Sequence, residues 1–251
     1  MSTLEHRHPH GPAPGKRERR LAAVVTRAVT VGTALAAVAV PAACGSSVAS
    51  SSLPLEQDFA DCGGFGMNDE IATVDCPEGE LRIVVSMPAV SPMHLVPLRF
   101  DERPRTLRVT GAARATSGRA AWGLGCLASE PGEASRGYVL VMDDEGSLAI
   151  LRIEGSKAAD GRQATELGAL ATRRRAIRRP AARHSLGLTC ATNGAGRAAL
   201  EGAVDGRRLL ATSDRSGFAT YTAALPFVVA ERPGTEVRFD DVTASDAARH
   251  S

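Results

Sequence analysis

From residue 54 onward, apolar and polar residues alternate with a period of two, in short bursts. Gly79–Met87 (GELRIVVSM), Thr106–Ala113, Ala121–Ala128, Gly137–Asp143 and Ser147–Glu154 follow one another in this way. The pattern resumes in His184–Thr192, Arg197–Val204, Arg207–Thr212, Tyr221–Ala230 and Thr235–Ala244. A period of two puts alternate side chains on opposite faces of an extended chain, so each run predicts a strand with one apolar face. Clusters of Gly, Pro, Asp and Ser separate the runs at a spacing of roughly 8–15 residues, the signature of an antiparallel sandwich or barrel. No long amphipathic helix and no internal repeat is legible. Ala169–Ala182 is alanine-rich and predicts a short helix limited by Pro180. Asp205-Gly206 lies between two apolar runs and predicts a tight hairpin turn, because both central residues of that turn take positive φ. Asp144-Glu145-Gly146 predicts a turn of the same kind.

Residues 1–53 break the alternation. Lys16-Arg-Glu-Arg-Arg20 precedes a largely apolar run, Leu21–Val40, whose uninterrupted part is Ala28–Val40. Thirteen residues span roughly 20 Å as a helix, short of a bilayer core of about 30 Å. A basic start, a short apolar core and small residues behind it predict a secretory signal peptide over residues 1–43. An uncleaved anchor and a twin-arginine signal at Arg19-Arg20 are the alternatives. Residues 44–53 are Ser-rich and predict a flexible tether. A sandwich domain over 54–245 and a tail over 246–251 complete the organisation. His6, His8 and His10 alternate as metal ligands can, but precede the apolar core and would leave with the leader.

Pro41-Ala-Ala-Cys44 resembles a bacterial lipobox, whose cysteine becomes the lipidated N-terminus, and Gly45-Ser-Ser47 is similar to the tether that follows one. Pro41 departs from the aliphatic residue usual three places before the cysteine. The competing cleavage follows Ala49, with Ser47 and Ala49 at the small-residue positions. Either route implies export; the lipobox further implies a membrane partner through lipid on Cys44.

The chain has 43% hydrophobic residues, enough for a core, but only 4% aromatics, so that core is mostly aliphatic. Net charge is +2. Residues 1–43 carry six of the 30 Lys/Arg and two of the 28 Asp/Glu, leaving 24 basic and 26 acidic residues and a net of −2. The remainder is therefore no general nucleic-acid binder.

Apart from Cys44 there are four cysteines, which allow three pairings. Cys126 shares strand parity with Trp122 and Leu124, and Cys190 with Leu186 and Leu188, so both thiols point to apolar faces. Cys62–Cys76 together with Cys126–Cys190 is the favoured arrangement, and an oxidising compartment preserves such bonds. No CxxC-like spacing points to zinc.

Several blocks in order resemble a bacterial family of concanavalin A-like (laminin G-like) jelly-roll domains found in exported lipoproteins. They are Leu55-Glu-Gln-Asp-Phe59, Trp122-Gly-Leu-Gly-Cys126, Gly137–Asp143 with Gly146–Ile150, Leu186-Gly-Leu-Thr-Cys190, Ala203-Val-Asp-Gly206 and Pro233–Val242. The resemblance implies an all-β, antiparallel two-sheet jelly-roll sandwich over roughly residues 54–245. It also implies a bridge between Cys126 and Cys190. It implies no function.

Glycosidases on this kind of fold need two carboxylates facing one cleft, about 5–10 Å apart. No strand here carries acidic residues at that alternation, and Asp143-Asp144-Glu145 sits at a turn. Asp58 with Asp240 and Asp241 could offer oxygen ligands to calcium, against salt bridging or solvation at a sheet edge. His184 and Ser185 are adjacent on a strand, point to opposite faces, and cannot form a nucleophile and base. Trp122, Tyr138 and Tyr221 are the aromatics that could stack on sugars if exposed, and Trp122 has the parity of a core residue. The remaining charged feature is Arg173, Arg174, Arg175, Arg178, Arg179 and Arg183. These are six arginines within eleven residues, either a solvated loop or an anion-binding one for headgroups, wall polymers or an acidic partner.

These readings converge on an exported, lipid-anchored, non-catalytic binding or structural module with no cofactor. Its partners would be the membrane, through the lipid, and a cell-wall glycan or another surface protein. A carbohydrate-binding module or a glycan-active enzyme is the alternative. Mass spectrometry of the mature N-terminus is expected to find a lipid-modified Cys44, and Cys44→Ser is expected to abolish the modification. A chain beginning at Ser50 would instead establish cleavage after Ala49.

Overall fold

The computed structural model describes residues 52–60, 62, 67–68, 71–88, 93–130, 133–157 and 163–250. The leader with His6, His8 and His10, the lipidation candidate Cys44, and the tether up to residue 51 lie outside the described residues. In chain order the strands are β1 (Leu55–Gln57), β2 (Met67–Asn68), β3 (Ala72–Asp75), β4 (Leu81–Val85), β5 (Met93–Leu95), β6 (Leu98–Arg99), β7 (Thr106–Ser117) and β8 (Ala120–Leu127). They continue as β9 (Arg136–Asp143), β10 (Leu148–Lys157), β11 (Gln163–Arg173), β12 (His184–Thr192), β13 (Ala198–Val204), β14 (Arg207–Asp214), β15 (Ala223–Ala230) and β16 (Thr235–Asp246). Two 3-10 turns, Pro77–Gly79 and Ala247–His250, are the only helical pieces among the described residues.

The strands form two antiparallel sheets. The first runs β14-β13-β12-β7-β16-β4-β3-β2, with β1 also on β16. The second runs β11-β10-β9-β8-β15-β5, with β6 also on β15. Alternation along each strand aims one set of side chains into the space between the sheets. Leu107 and Val109, Leu186 and Leu188, and Val237 and Phe239 come from the first sheet; Trp122, Leu124, Tyr138 and Leu140 come from the second. Burying each such side chain stabilises the fold by roughly 1.5–3 kcal/mol.

Covalent and polar links add to this packing. Disulfides join Cys62 to Cys76 and Cys126 to Cys190, the two pairings favoured from the sequence; the second ties β8 to β12, one sheet to the other. The Tyr221 hydroxyl lies 3.0 Å from Thr192 Oγ1. At one edge, Asp214 of β14 accepts the Tyr138 hydroxyl at 2.8 Å and pairs with Arg152 of β10, which lies over the Phe218 ring at 4.7 Å. A charge at the edge of the core is tolerated because its donors and acceptors are matched.

The ten runs read from the alternation are all strands. Asp205 (φ 51°) and Gly206 (φ 73°) both adopt positive φ, as the two-residue hairpin requires. The other expected turn differs. Of Asp144, Glu145 and Gly146, only Gly146 has positive φ. Its N–H donates to the Asp143 carbonyl at 3.0 Å, while the Asp143 N–H donates to the Ser147 carbonyl at 3.1 Å, so the three residues close a loop with one left-handed residue where the Asp205-Gly206 turn has two. The helix expected over Ala169–Ala182 is also absent. β11 extends to Arg173 on the edge beside β10, and the rest is irregular loop. Alanine and leucine favour helix locally, but the ladder offered by β10 satisfies the backbone of Gln163–Arg173, and tertiary pairing overrides propensity.

β8 and β9 approach unusually closely. A Cβ on Gly123 would fall 1.7 Å from the Leu140 carbonyl oxygen, whereas one on Gly187 would meet nothing nearer than Thr110 Cγ2 at 3.5 Å, an ordinary contact. Gly123→Ala is expected to cost about 3 kcal/mol or more through forced displacement of β9. Gly187→Ala is expected to be neutral or to stabilise by up to about 1 kcal/mol. Urea midpoints of the two variants check this contrast.

Candidate functional site: the arginine loop

The six arginines lie on the connection between β11, at the edge of the second sheet, and β12, in the first. Both ends of this loop are tied down. Arg173 ends β11 opposite Leu148, the first residue of β10, and donates to the Leu209 carbonyl at 3.3 Å. Arg175 takes a left-handed φ of 47°, and the Ile177 N–H donates to the Gly146 carbonyl at 3.0 Å. Gly146 must lack a side chain here, because a Cβ would lie 2.1 Å from the Ile177 carbonyl oxygen. Ala176 and Ile177 pack against the core. The Ala182 N–H then donates to the Arg179 carbonyl at 3.0 Å.

His184 fixes the far end. Its ring nitrogens lie 2.8 Å from the Arg179 carbonyl and 2.8 Å from Asp205 Oδ2. Asp205 in turn accepts the Ser185 N–H at 3.0 Å. The loop is thereby joined to the β13–β14 turn. His184 is buried and Ser185 exposed.

Arg183 has left the cationic set. It pairs with Asp240 and Asp241 of β16 and lies 3.6 Å from Glu80. Glu80 also binds Arg114 at 2.8 Å and Arg238 at 3.1 Å. Burial pushes the Glu80 carboxyl up, but hydrogen bonds from Arg114 and Arg238 outweigh it and hold the group below its ordinary value. Glu236 is held low in the same way by Arg238.

Four arginines remain: Arg174, Arg175, Arg178 and Arg179. All are exposed, and among the described residues none has an ion-pair or side-chain hydrogen-bond partner. The sequence counted six cations; the fold neutralises one and points another at a carbonyl. Arg207, exposed at the start of β14 directly after the turn held by His184, adds a guanidinium that the sequence reading left out. Its signal was the Asp205-Gly206 turn, which places it at the same end of the sandwich as the loop.

The other candidates do not assemble. Asp240 and Asp241 are engaged with Arg183, and Asp58 accepts the Ala60 N–H at 3.0 Å. Among the described residues no group of three His, Cys, Asp or Glu is placed to hold a metal ion. Asp143 accepts the N–H groups of Glu145 and Ser147 at 3.0 and 2.7 Å, and burial raises its pKa. Trp122, Tyr138 and Tyr221 are all 0% exposed, so none offers a stacking surface. The buried Trp122 indole N–H has no acceptor among the described residues, an omission costing about 1–3 kcal/mol that the ring's apolar burial has to offset.

No protein-family profile and no sequence of a characterised protein matches the chain. Solved structures do match in shape. A sialidase superposes with a TM-score of 0.52 at 12% identity over 79% of this chain; the chain spans about a fifth (19%) of that protein. The fold is a jelly-roll sandwich. The alginate lyase Aly36B superposes at 0.46 and 12% identity over 79% of this chain and 98% of its own. The carbohydrate-binding module CBM66 from Bacillus subtilis superposes at 0.41 and 14% identity over 66% of this chain and 81% of its own. At such identities the likeness extends to the all-β, antiparallel two-sheet architecture and no further. No helix among the described residues is long and apolar enough to cross a membrane.

The ion-pair cluster behind the loop carries a pH signature. Glu80 and Glu236 have folded-state pKa values below their unfolded ones, so their contribution is complete above the ordinary glutamate value of about 4.3 and is lost as pH falls below it. Asp143, raised by burial, acts in the opposite sense: its contribution is present at low pH and is lost as pH rises through its folded value. The urea midpoint is expected to hold from neutrality to about pH 5 and then to fall. Glu80→Gln should lower it at neutral pH and flatten part of the acid limb.

Proposed function

We propose that the protein is an exported, non-catalytic binding module of the cell surface, which captures an anionic component of the envelope through Arg174, Arg175, Arg178 and Arg179. The observation that carries this reading is that four exposed guanidinium groups without partners among the described residues stand on a loop fixed at both ends. Fixing the loop in advance lowers the entropy lost when an anion is bound. Surrounding the loop with a domain of slightly negative net charge limits nonspecific attraction of anions. The two disulfides suit an oxidising compartment, in keeping with export. Lipid on Cys44 and the Ser-rich tether would hold the domain at the outer face of the membrane, within reach of phospholipid headgroups, acidic wall glycans and other surface proteins.

A glycan-directed role is the second reading, favoured by the likeness to a sialidase domain. Burial of all three candidate stacking aromatics weighs against a neutral sugar held by ring stacking. Ion pairing to an acidic glycan needs no such platform.

The test replaces Arg174, Arg175, Arg178 and Arg179 by Gln in the processed protein and measures retention on two supports. One is vesicles of phosphatidylglycerol and phosphatidylcholine; the other is purified cell wall. The wild type is expected to bind an anionic support in a salt-sensitive way and to lose about fivefold in affinity per arginine replaced. Binding that is unchanged by the substitutions, or insensitive to salt, overturns the proposal.

A further inference from the structure

His184 joins the far half of the arginine loop to the β13–β14 turn, and both nitrogens of its buried ring are committed to doing so. Nδ1 lies 2.8 Å from Asp205 Oδ2, and Nε2 lies 2.8 Å from the Arg179 carbonyl oxygen. A carbonyl oxygen only accepts hydrogen bonds, and so does an ionised carboxylate. Asp205 is exposed, and its other oxygen accepts the Ser185 N–H at 3.0 Å; an exposed carboxylate is ionised near neutral pH. Two acceptors facing one ring demand two N–H donors. The imidazolium carries both, whereas a neutral imidazole carries one and presents a lone pair at its second nitrogen. With the proton on Nε2, the Nδ1 lone pair would face the Asp205 carboxylate. With the proton on Nδ1, the Nε2 lone pair would face the Arg179 carbonyl. Either neutral tautomer breaks one half of the bridge, so the link between loop and turn is complete only in the protonated ring.

The charged groups around the ring have other engagements. Arg183, next in the chain, pairs with Asp240 and Asp241 of β16 and lies 3.6 Å from Glu80. On β7 the position opposite His184 is Ala113, and beyond it on β16 stands Phe239; neither titrates. The turn at Asp143–Ser147 holds the near half of the loop through Gly146. There Asp143 accepts N–H groups of its own turn, Asp144 lies 3.7 Å from Arg119, and Glu145 is exposed. Arg207, just beyond the β13–β14 turn, is exposed as well. Of the chain's six histidines, His94, His184 and His250 remain once residues 1–43 depart. His94 is on β5, at the opposite edge of the second sheet from β11. His250 follows β16, whose Asp246 pairs with Leu107, at the other end of β7 from Ala113. His184 is the histidine that touches the loop.

Histidine is the side chain whose charge ordinarily changes between about pH 5 and 8. We infer that His184 is a positioning residue that gates the arginine loop by its proton: the imidazolium holds Arg178 and Arg179 in place for an anion, and loss of the proton releases them. This rests on the loop's taking an anion, as proposed above, and adds what controls the capture. The sign follows from the bonds. The protonated ring makes one more hydrogen bond in the held loop than the neutral ring does, so the hold is present at low pH and is lost as pH rises. The imidazolium also places a positive charge behind the four guanidinium groups, and its loss removes that charge. Order and charge therefore act in the same direction, towards capture in a mildly acidic medium and release in a basic one.

Asp205→Asn separates this gate from a merely structural role. Asn tolerates the left-handed φ of 51° at this position. Its amide oxygen can accept the Ser185 N–H while its amide nitrogen donates to Nδ1, which a neutral ring with its proton on Nε2 accepts. The bridge is then complete in the neutral ring and broken in the imidazolium, so the pH dependence should reverse. Retention of the processed protein is measured at about pH 5.5 and about pH 8.5, on whichever of vesicles and cell wall retains the wild type. The wild type is expected to bind about tenfold more tightly at the lower pH, Asp205→Asn about tenfold more tightly at the higher, and His184→Gln alike at both. Long-range 1H–15N spectra of the wild-type imidazole rings are expected to show both His184 nitrogens protonated at the lower pH. If His184→Gln does not fold, Asp205→Asn and the ring spectra decide. A singly protonated ring at the lower pH overturns the inference, as does a pH dependence of the same sign in Asp205→Asn as in the wild type. Retention that needs the arginines but ignores pH overturns the gate and leaves the anion-binding reading standing. Retention on neither support, or retention that does not need the arginines, defeats that reading and the gate with it.

Discussion

β8 is buried along its whole length and on both of its faces, and the remainder of the structure is arranged around that constraint. Its inner side chains, Trp122, Leu124 and Cys126, form the centre of the core and carry the bond to β12. Two of its outward positions are glycine because β9 comes so near that a Cβ on Gly123 would strike the Leu140 carbonyl oxygen and one on Gly125 the Tyr138 carbonyl oxygen. A strand in this position has no polar face to offer, so the sheet built on it is apolar on both sides. Parallel sheets resolve this with helices on both faces; here an antiparallel sheet presents the same demand with no helix among the described residues to meet it.

The charged residues obey a different rule. Several arginines of the described domain are paired within it. Arg82 pairs with Asp75, Arg103 with Glu130, Arg152 with Glu154 and Asp214, and Arg238 with Glu80 and Glu236. Arg183 belongs with these, since its carboxylates were supplied by a strand almost sixty residues away in sequence. Arg105, Arg108, Arg197, Arg207, Arg215 and Arg232 are exposed and unpaired among the described residues as well, but Arg174, Arg175, Arg178 and Arg179 lie together on one loop whose backbone is held from within. His184 and Gly146 do this holding through hydrogen bonds to the loop's main chain, which leave the guanidinium groups at liberty. Rigid backbone with uncommitted side chains is the condition under which a charged loop binds a ligand instead of merely hydrating.

Much of this was legible in advance. Alternation located ten strands because one face of each packs on a common core, and that demand leaves its mark on every second residue. The Asp205-Gly206 turn was legible because few residue pairs tolerate positive φ twice in succession. β11 was not: Ala169–Ala182 reads as helix-forming, and only the edge of β10 draws Gln163–Arg173 into a strand. The loop at Asp144–Gly146 misled because it turns with one left-handed residue, Gly146, where the Asp205-Gly206 hairpin uses two. The arginine cluster was visible as composition, but its division into paired and unpaired members was not.

The sequence by itself determined the class of fold, the strands and their inward faces, the cysteines available to bridge them, and the presence of a cationic stretch. These are local properties, written in the period of the side chains and in turn chemistry. Only the tertiary structure decided which arginines are neutralised, that the aromatic side chains capable of stacking are all buried, and that the second sheet is apolar on its outer face as well. Those outcomes depend on which strand lies beside which, and strand order arises from contacts between residues far apart in the chain, which no window of sequence contains.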